Sequence, residues 1–299
     1  MGTMVLNQIK LTETDKNQSN LTVNSPEEIF RQFGVDQVPV NKDPYIIAVS
    51  SQKGGVAKTT TSVSLGASLA ECGVNVLLVD LDPQAHLTQA LSMQSTKIRR
   101  TIGEVLINQA TLLSVTRESE VANLDVAPAN EGLLLIDKLL YNTNGYEYRL
   151  KNVLRSIQAN YYEYIILDCP PSVGPMTLNA LTAANLVVLP ASCDIFAANS
   201  LQGYLHFIDL VKRRSNSRLH CKILITLFDA RTKISCLLLE KYRTVYRDIL
   251  FETVISMDVH LRESALFGKP ITVYAKNTRS AEEYRALTRE LLLCAKTMH

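Results

Sequence analysis

The chain has no C-x-x-C pair among its six cysteines, no apolar run of membrane-spanning length, no large charge excess, and no internal repeat or low-complexity stretch. Each absence excludes something. Cys72, Cys169, Cys193, Cys221, Cys236 and Cys294 sit mostly inside apolar runs such as Ile166-Leu167-Asp168-Cys169. They read as reduced core residues of a cytosolic protein. Met1-Gly2-Thr3-Met4 leads into polar sequence rather than a charged-then-apolar signal, so a soluble, cytoplasmic protein without stable membrane insertion is expected. A formal net charge of +2 is far from the basic balance of a dedicated nucleic-acid module, and any DNA binding has to come from a local patch. Lys212-Arg213-Arg214 with Arg218, and Lys241, Arg243 and Arg247, are candidates; they also read as an ordinary solvated helix face.

What is present is apolar material in quantity. With 299 residues, 46% hydrophobic and 20% charged, the chain can bury a full core, as one large domain or two small ones. Residues 1–44 are polar, and Ser25-Pro26-Glu27-Glu28 looks like a helix start, so a largely flexible extension with one short helix is expected there. From residue 45 onward, short apolar runs alternate with longer helical patterns. The strand-like runs are Tyr45–Ser50, Asn75–Asp80, Leu124–Ala127, Tyr164–Asp168, Leu186–Pro190, Cys221–Leu227 and Phe251–Ile255. Between and after them, helices are predicted over Thr59–Cys72, Glu131–Leu140, Glu147–Ala159, Met176–Ala184, Ser200–Arg214, Ile234–Leu250 and Ser280–Lys296. Nearly all-apolar strands linked by helices imply an α/β fold of three layers, a mostly parallel twisted sheet covered by helices on both faces. Such sheets bind ligands beyond the carboxyl ends of their strands.

Directly after the first strand stands Ser51-Gln52-Lys53-Gly54-Gly55-Val56-Ala57-Lys58-Thr59-Thr60. A loop of this kind turns successive backbone N–H groups inward and ends on a helix N-terminus, which suits phosphate. Glycine is needed where a side chain would block the approach. Residues Lys53, Gly54, Gly55, Val56, Ala57, Lys58, Thr59 and Thr60 are therefore the nucleotide-binding candidates, with Lys58 against the β and γ phosphates and Thr59 offering its hydroxyl to Mg²⁺. The strict P-loop pattern needs glycine at 52 and 57, where Gln52 and Ala57 stand; what matches is K-G-G-x-x-K-S/T with a second lysine, Lys53, five residues before Lys58. Asp80 and Asp82 in Val79-Asp80-Leu81-Asp82-Pro83-Gln84 are expected on one side of an extended chain, Asp80 supporting the metal shell. Asp168, closing four apolar residues, has the form of a Walker B acid delivered to the sheet rim beside Mg²⁺.

Together these motifs resemble the ParA family of the ParA/MinD deviant Walker A ATPases, in which the extra lysine is the signature. Asp168-Cys169-Pro170-Pro171-Ser172, Asp229-Ala230-Arg231-Thr232, Val259–Ser264, Phe267-Gly268-Lys269-Pro270 and Arg279-Ser280-Ala281 extend the likeness to the C-terminus in the family's order. The resemblance implies a P-loop NTPase domain over 45–299 and ATP and Mg²⁺ as cofactors. It further implies catalytic roles for Lys53, Lys58 and Asp82, with Lys53 reaching the partner's nucleotide in an ATP-dependent homodimer and Asp82 positioning the hydrolytic water. It also implies non-specific DNA as track, nucleoid association, and a cargo-bound ParB-like or McdB-like activator. Cargo is left open: plasmid, chromosome or a protein assembly such as the carboxysome. The chain departs from the family at Ala57, at Ala85-His86-Leu87 where the family reads G-N-A, and at Ser256-Met257 where it often reads Pro-Arg near the adenine. His86 is set aside as a loop residue without catalytic duty.

Three rivals share the loop. A MinD-type ATPase that works on a membrane surface would need a basic amphipathic tail, and Leu291-Leu292-Leu293 instead continue a core-patterned helix. An iron–sulfur relative would need paired, glycine-flanked cysteines. A catalytically idle adaptor is opposed by the retention of Lys53, Lys58, Asp82 and Asp168.

Overall fold

Side chains alternate across a strand, so a strand that is apolar at every position must be covered twice. The computed structural model, which describes residues 43–155, 157 and 161–297, shows the strands covered in this way. Its strands are β1 (Tyr45–Val49), β2 (Val76–Asp80), β3 (Arg117–Glu118), β4 (Leu124–Ala127), β5 (Tyr164–Asp168), β6 (Leu186–Ser192), β7 (His220–Phe228) and β8 (Leu250–Ser256). They form an eight-stranded sheet in the order β3-β4-β2-β5-β1-β6-β7-β8. Every pairing is parallel except β3 with β4. The three-layer, mostly parallel α/β fold expected from the sequence is the fold observed.

The helices are α1 (Lys58–Glu71), α2 (His86–Ala90), α3 (Ile102–Leu106), α4 (Leu112–Val115), α5 (Leu133–Tyr141), α6 (Arg149–Arg155) and α7 (Pro175–Ala183). They continue with α8 (Ile195–Arg214), α9 (Lys233–Val245), α10 (Val259–Leu266), α11 (Ile271–Tyr274) and α12 (Arg279–Thr297). On one face of the sheet, Ile47, Val49, Leu78, Ile166 and Val188 pack with Leu65 and Leu69 of α1 and Tyr284, Leu287 and Leu291 of α12. The intervening residues Ala48, Leu77, Val79, Leu167 and Leu189 face the other way, onto Ile136 of α5, Leu150 of α6, Ala180 of α7 and Tyr204 of α8. Arg285 on α12 also donates to Glu71 at the end of α1 at 2.9 Å, fastening two helices of one layer.

Several boundaries differ from expectation for local reasons. Leu250 opens β8 rather than closing a helix, so α9 stops at Val245. Helix α8 begins at Ile195, five residues before the expected Ser200. The two-residue edge strand β3, exposed at both positions, is too short and polar to show a period. Strand β2 ends at Asp80, so the period-two argument does not extend to Asp82, which stands in a turn. The helix start expected at Ser25–Glu28 lies outside the described residues.

The carboxyl ends of β1, β2, β5 and β6 converge at the centre of the sheet, and the loops that leave them build the site. One outer support of that site is a turn after α10. Gly268 has φ +63, and a Cβ there would lie 2.1 Å from Ser92 Oγ and 2.8 Å from the Ser92 backbone nitrogen. Left-handed strain and overpacking act together, so Gly268→Ala is expected to lower unfolding free energy by about 2–4 kcal/mol, read from urea denaturation.

Candidate nucleotide site

The loop between β1 and α1 is built from inside. Val56 is 1% exposed, and its carbonyl accepts the buried Thr226 hydroxyl of β7 at 3.0 Å. Ser50 pairs with Tyr204 of α8 through their hydroxyls. Both anchors come from far in the chain, and no local motif marks them. Gly55 has φ +74, and Cβ atoms built on Gly54 and Gly55 would meet nothing within 4 Å. The space over the loop is thus open, and a side chain would occupy it. Helix α1 starts at Lys58 with no side-chain cap and no acid in its first turn, which leaves its first N–H groups for an anion.

Lys58 is 8% exposed and donates from Nζ to the Lys53 carbonyl at 3.1 Å. Burial lowers its pKa, and the nearby carboxylates of Asp168 and Asp82 work against that shift. Asp168, 1% exposed, takes hydrogen bonds from Thr59 Oγ1 at 2.8 Å and Ser62 Oγ at 2.7 Å. Burial pushes its carboxyl up to about 6, while the two hydroxyls and Lys58 pull the other way. Ser62 was not among the sequence candidates; its signal was its place one turn after Lys58, on the side of α1 that faces β5.

Asp80 pairs in register with Asp168 and is wholly buried. One of its oxygens accepts the Asp82 N–H at 3.1 Å; the other accepts the Thr88 N–H at 2.9 Å and the Thr88 hydroxyl at 2.7 Å. The carboxylate therefore fastens the 81–88 loop, and the Thr88 hydroxyl accepts the Ala129 N–H beyond it at 3.0 Å. Burial first, and the Asp168 charge second, push the Asp80 carboxyl up to about 7. Asp82 is presented by a turn, its Oδ1 accepting the Gln84 N–H at 2.9 Å.

The loop, Lys58, Thr59 and Asp82 line one side of a cleft of about 550 Å³, with Asp80 and Asp168 buried behind them. Gly54, Lys58, Thr59 and Asp82 meet there, while Leu261, Ser264 and Lys269 line it from α10 and the turn beyond. His86, set aside on sequence, lines the cleft with Gln89. Ser256 lies elsewhere: its N–H and hydroxyl both donate to Glu283, at 2.8 and 2.6 Å. Lys53 points outward, and its Nζ stands 2.6 Å from both carboxylate oxygens of Asp194. An arrangement of backbone donors, a buried lysine, a hydroxyl beside a carboxylate and an acid at the rim suits a polyphosphate with a divalent cation.

Comparison with known proteins agrees with this geometry. The family model described as an AAA domain matches residues 44–221. The sporulation initiation inhibitor protein Soj of Bacillus subtilis is 41% identical over 247 residues, 82% of this chain and 97% of that protein. The chromosome partitioning protein ParA of Myxococcus xanthus is 41% identical over 248 residues, 83% of this chain and 87% of that protein. This chain belongs to the ParA family. Among solved structures, cobyrinic acid a,c-diamide synthase from Mycobacterium smegmatis, crystallised with an ATP analogue and magnesium, superposes with a TM-score of 0.75. It is 32% identical, and the match covers 86% of this chain and 97% of that one.

Two departures from the ParA pattern noted in the sequence acquire a physical meaning. Ala57 (φ 62) and Ala85 (φ 54) both occupy the left-handed region, each at the N-cap of a helix beside the cleft. An alanine there costs about 1–2 kcal/mol, and a glycine avoids this at an entropic cost of about 0.5–1. Ala57→Gly is expected to stabilise the protein by up to about 1 kcal/mol in urea denaturation. Ala85→Gly gains less, because the Ala85 methyl is buried (2% exposed) and is lost.

The raised carboxyls of Asp80 and Asp168 also set a pH dependence. Their folded-state values lie above the usual carboxylate value of 3.8, so their contribution to stability is full below about pH 4 and is lost as pH rises through about 6 to 7. Melting of the nucleotide-free protein is expected to show this loss between about pH 4 and 7 and no further loss from these groups above that, and Asp80→Asn is expected to flatten it.

Proposed function

We propose that the chain is a Mg²⁺-dependent ATP hydrolase of the ParA type. It dimerises on ATP and in that state binds DNA without sequence preference. With a ParB-like or McdB-like partner that stimulates hydrolysis, it positions or segregates a cargo: a plasmid, a chromosome or a protein assembly. The observation that carries this reading is the loop with two lysines, one turned into the cleft and one turned out of it. Bound ATP with its metal supplies the phosphoryl group to be transferred. Lys58 and the N–H groups of residues 54–60 hold the phosphates; Thr59 and Asp168 hold the metal side, with Asp80 behind them fixing the loop. Asp82 orients the attacking water, and positioning of this kind is most of what phosphoryl transfer asks of a protein. Lys53 reaches the nucleotide of a second copy.

DNA attraction is supported by a cluster at one end of α8. Lys212, Arg214 and Arg218 carry positive charge there, and Lys151 of α6 lies close enough to Arg155 and Arg218 that burial first and the two guanidiniums second lower its pKa. Arg213 is partly neutralised by Asp209 at 2.8 Å. Contacts of this kind meet phosphates and do not read bases. The membrane-surface alternative has less support: Leu291 and Leu292 are fully buried against the sheet, and among the described residues no helix is long and apolar enough to cross a membrane. A cytoplasmic protein that associates with the nucleoid when ATP-bound fits the same reading.

Size-exclusion chromatography with light scattering, with ADP and with ATP·Mg²⁺, tests the proposal on wild type and Lys53→Ala. A wild-type dimer with ATP alone is expected, and a monomer for the variant. The dimer is expected to bind arbitrary duplex DNA with affinity falling at least about tenfold between 50 and 200 mM salt. A wild type that stays monomeric in ATP·Mg²⁺ would sink the reading, and a dimer indifferent to DNA would remove its track.

A further inference from the structure

Lys53 and Asp194 leave adjacent strands, β1 and β6, on loops that meet at the carboxyl edge of the sheet. The lysine Nζ is shared evenly by the two carboxylate oxygens at 2.6 Å, the shortest ion pair among the described residues. Asp194 does not depend on the lysine for its position. Its N–H donates to the Ser192 carbonyl at 2.9 Å, and the Ser192 hydroxyl donates to Oδ2 at 2.6 Å. The Lys53 backbone is held as well, by the Lys58 Nζ on its carbonyl. The movable part is thus the Lys53 side chain alone, 30% exposed against 40% for Asp194, and the pair lies outside the nucleotide cleft.

We infer that Asp194 is a positioning residue that acts through Lys53: it holds the ammonium in cis, and this contact competes with the reach of Lys53 into a second copy. The inference rests on the proposed trans role of Lys53. Both Asp194 oxygens hold the ammonium at 2.6 Å outside the nucleotide cleft, so on this inference each protomer opens its own pair to send Lys53 to the nucleotide of the other when the dimer forms. Both partners are partly exposed, so the contact is weak enough to be opened yet strong enough to bias the monomer. Two such pairs open per dimer, and their effects multiply in the dimer constant.

The test uses the full chain as wild type, Asp194→Asn, Asp194→Glu and Lys53→Ala. First, the rate of amine acylation at Lys53 in the nucleotide-free monomer is mapped by mass spectrometry. Asp194→Asn is expected to raise it several-fold and Asp194→Glu to restore it, with other lysines and the melting temperature unchanged. Second, the concentration of half-dimerisation is measured in ATP·Mg²⁺. A bias of about fivefold per protomer lowers the dimer dissociation constant of Asp194→Asn about 25-fold, with Asp194→Glu returning toward wild type. If wild type dimerises but Asp194→Asn leaves both acylation and dimerisation unchanged, or weakens the dimer, the inference is overturned while the proposed function stands. If wild type never dimerises in ATP, or Lys53→Ala dimerises as well as wild type, the trans role fails and the inference falls with it.

Discussion

A carboxylate with about one per cent of its surface exposed is costly unless something answers its charge, and Asp168 is placed in that situation by the apolar strand it terminates. The two hydroxyls that answer it, from Thr59 and Ser62, both belong to the first turns of α1. The hydrogen bonds therefore do more than satisfy an acid. They fix where α1 begins relative to β5, and so where the loop before it turns its N–H groups and where Lys58 lies. If Asp168 were moved or neutralised, the helix that carries the phosphate-facing residues would lose its reference to the sheet.

The same buried corner holds Asp80 beside Asp168 in adjacent strands, with Asp82 and Lys58 close by. Three acids and one lysine in a dry region leave an excess of negative charge; burial raises the Asp80 and Asp168 carboxyls and lowers Lys58, and the acids oppose the shift of the lysine. A divalent cation is the group such a corner lacks. Asp80 also shows how support and chemistry divide between neighbours. Its oxygens are taken up by the turn that presents Asp82, so the acid at the strand end serves the acid in the loop.

Departures from the family pattern behave differently according to their surroundings. Ala57 and Ala85 keep the left-handed backbone that glycine would adopt freely, which shows that the tertiary structure imposes that conformation against the residue's own preference. At Ser256, where the family often has proline, the backbone donor that a proline would lack is taken up by Glu283 from α12. His86, in a loop that diverges, nonetheless lines the cleft. A motif can therefore lose its wording while the geometry around it survives.

The sequence by itself determined the layers of the fold, because strands apolar at every position have to be covered on both faces, and β4 and β5 could be read to the residue. It also determined the phosphate loop and Asp168, because their chemistry is local: glycines, lysines and a hydroxyl at fixed spacing after a strand, and an acid closing another. The tertiary structure alone decided what lies between segments distant in the chain. Thr226 on Val56, Tyr204 on Ser50, Ser62 on Asp168, Glu283 on Ser256 and Asp194 on Lys53 are each separated by 27 to 170 residues. Ordinary serines, threonines and acids carry no pattern that names their partner. Only the order of strands in the sheet brings their loops to one edge, and with them the direction in which Lys53 points.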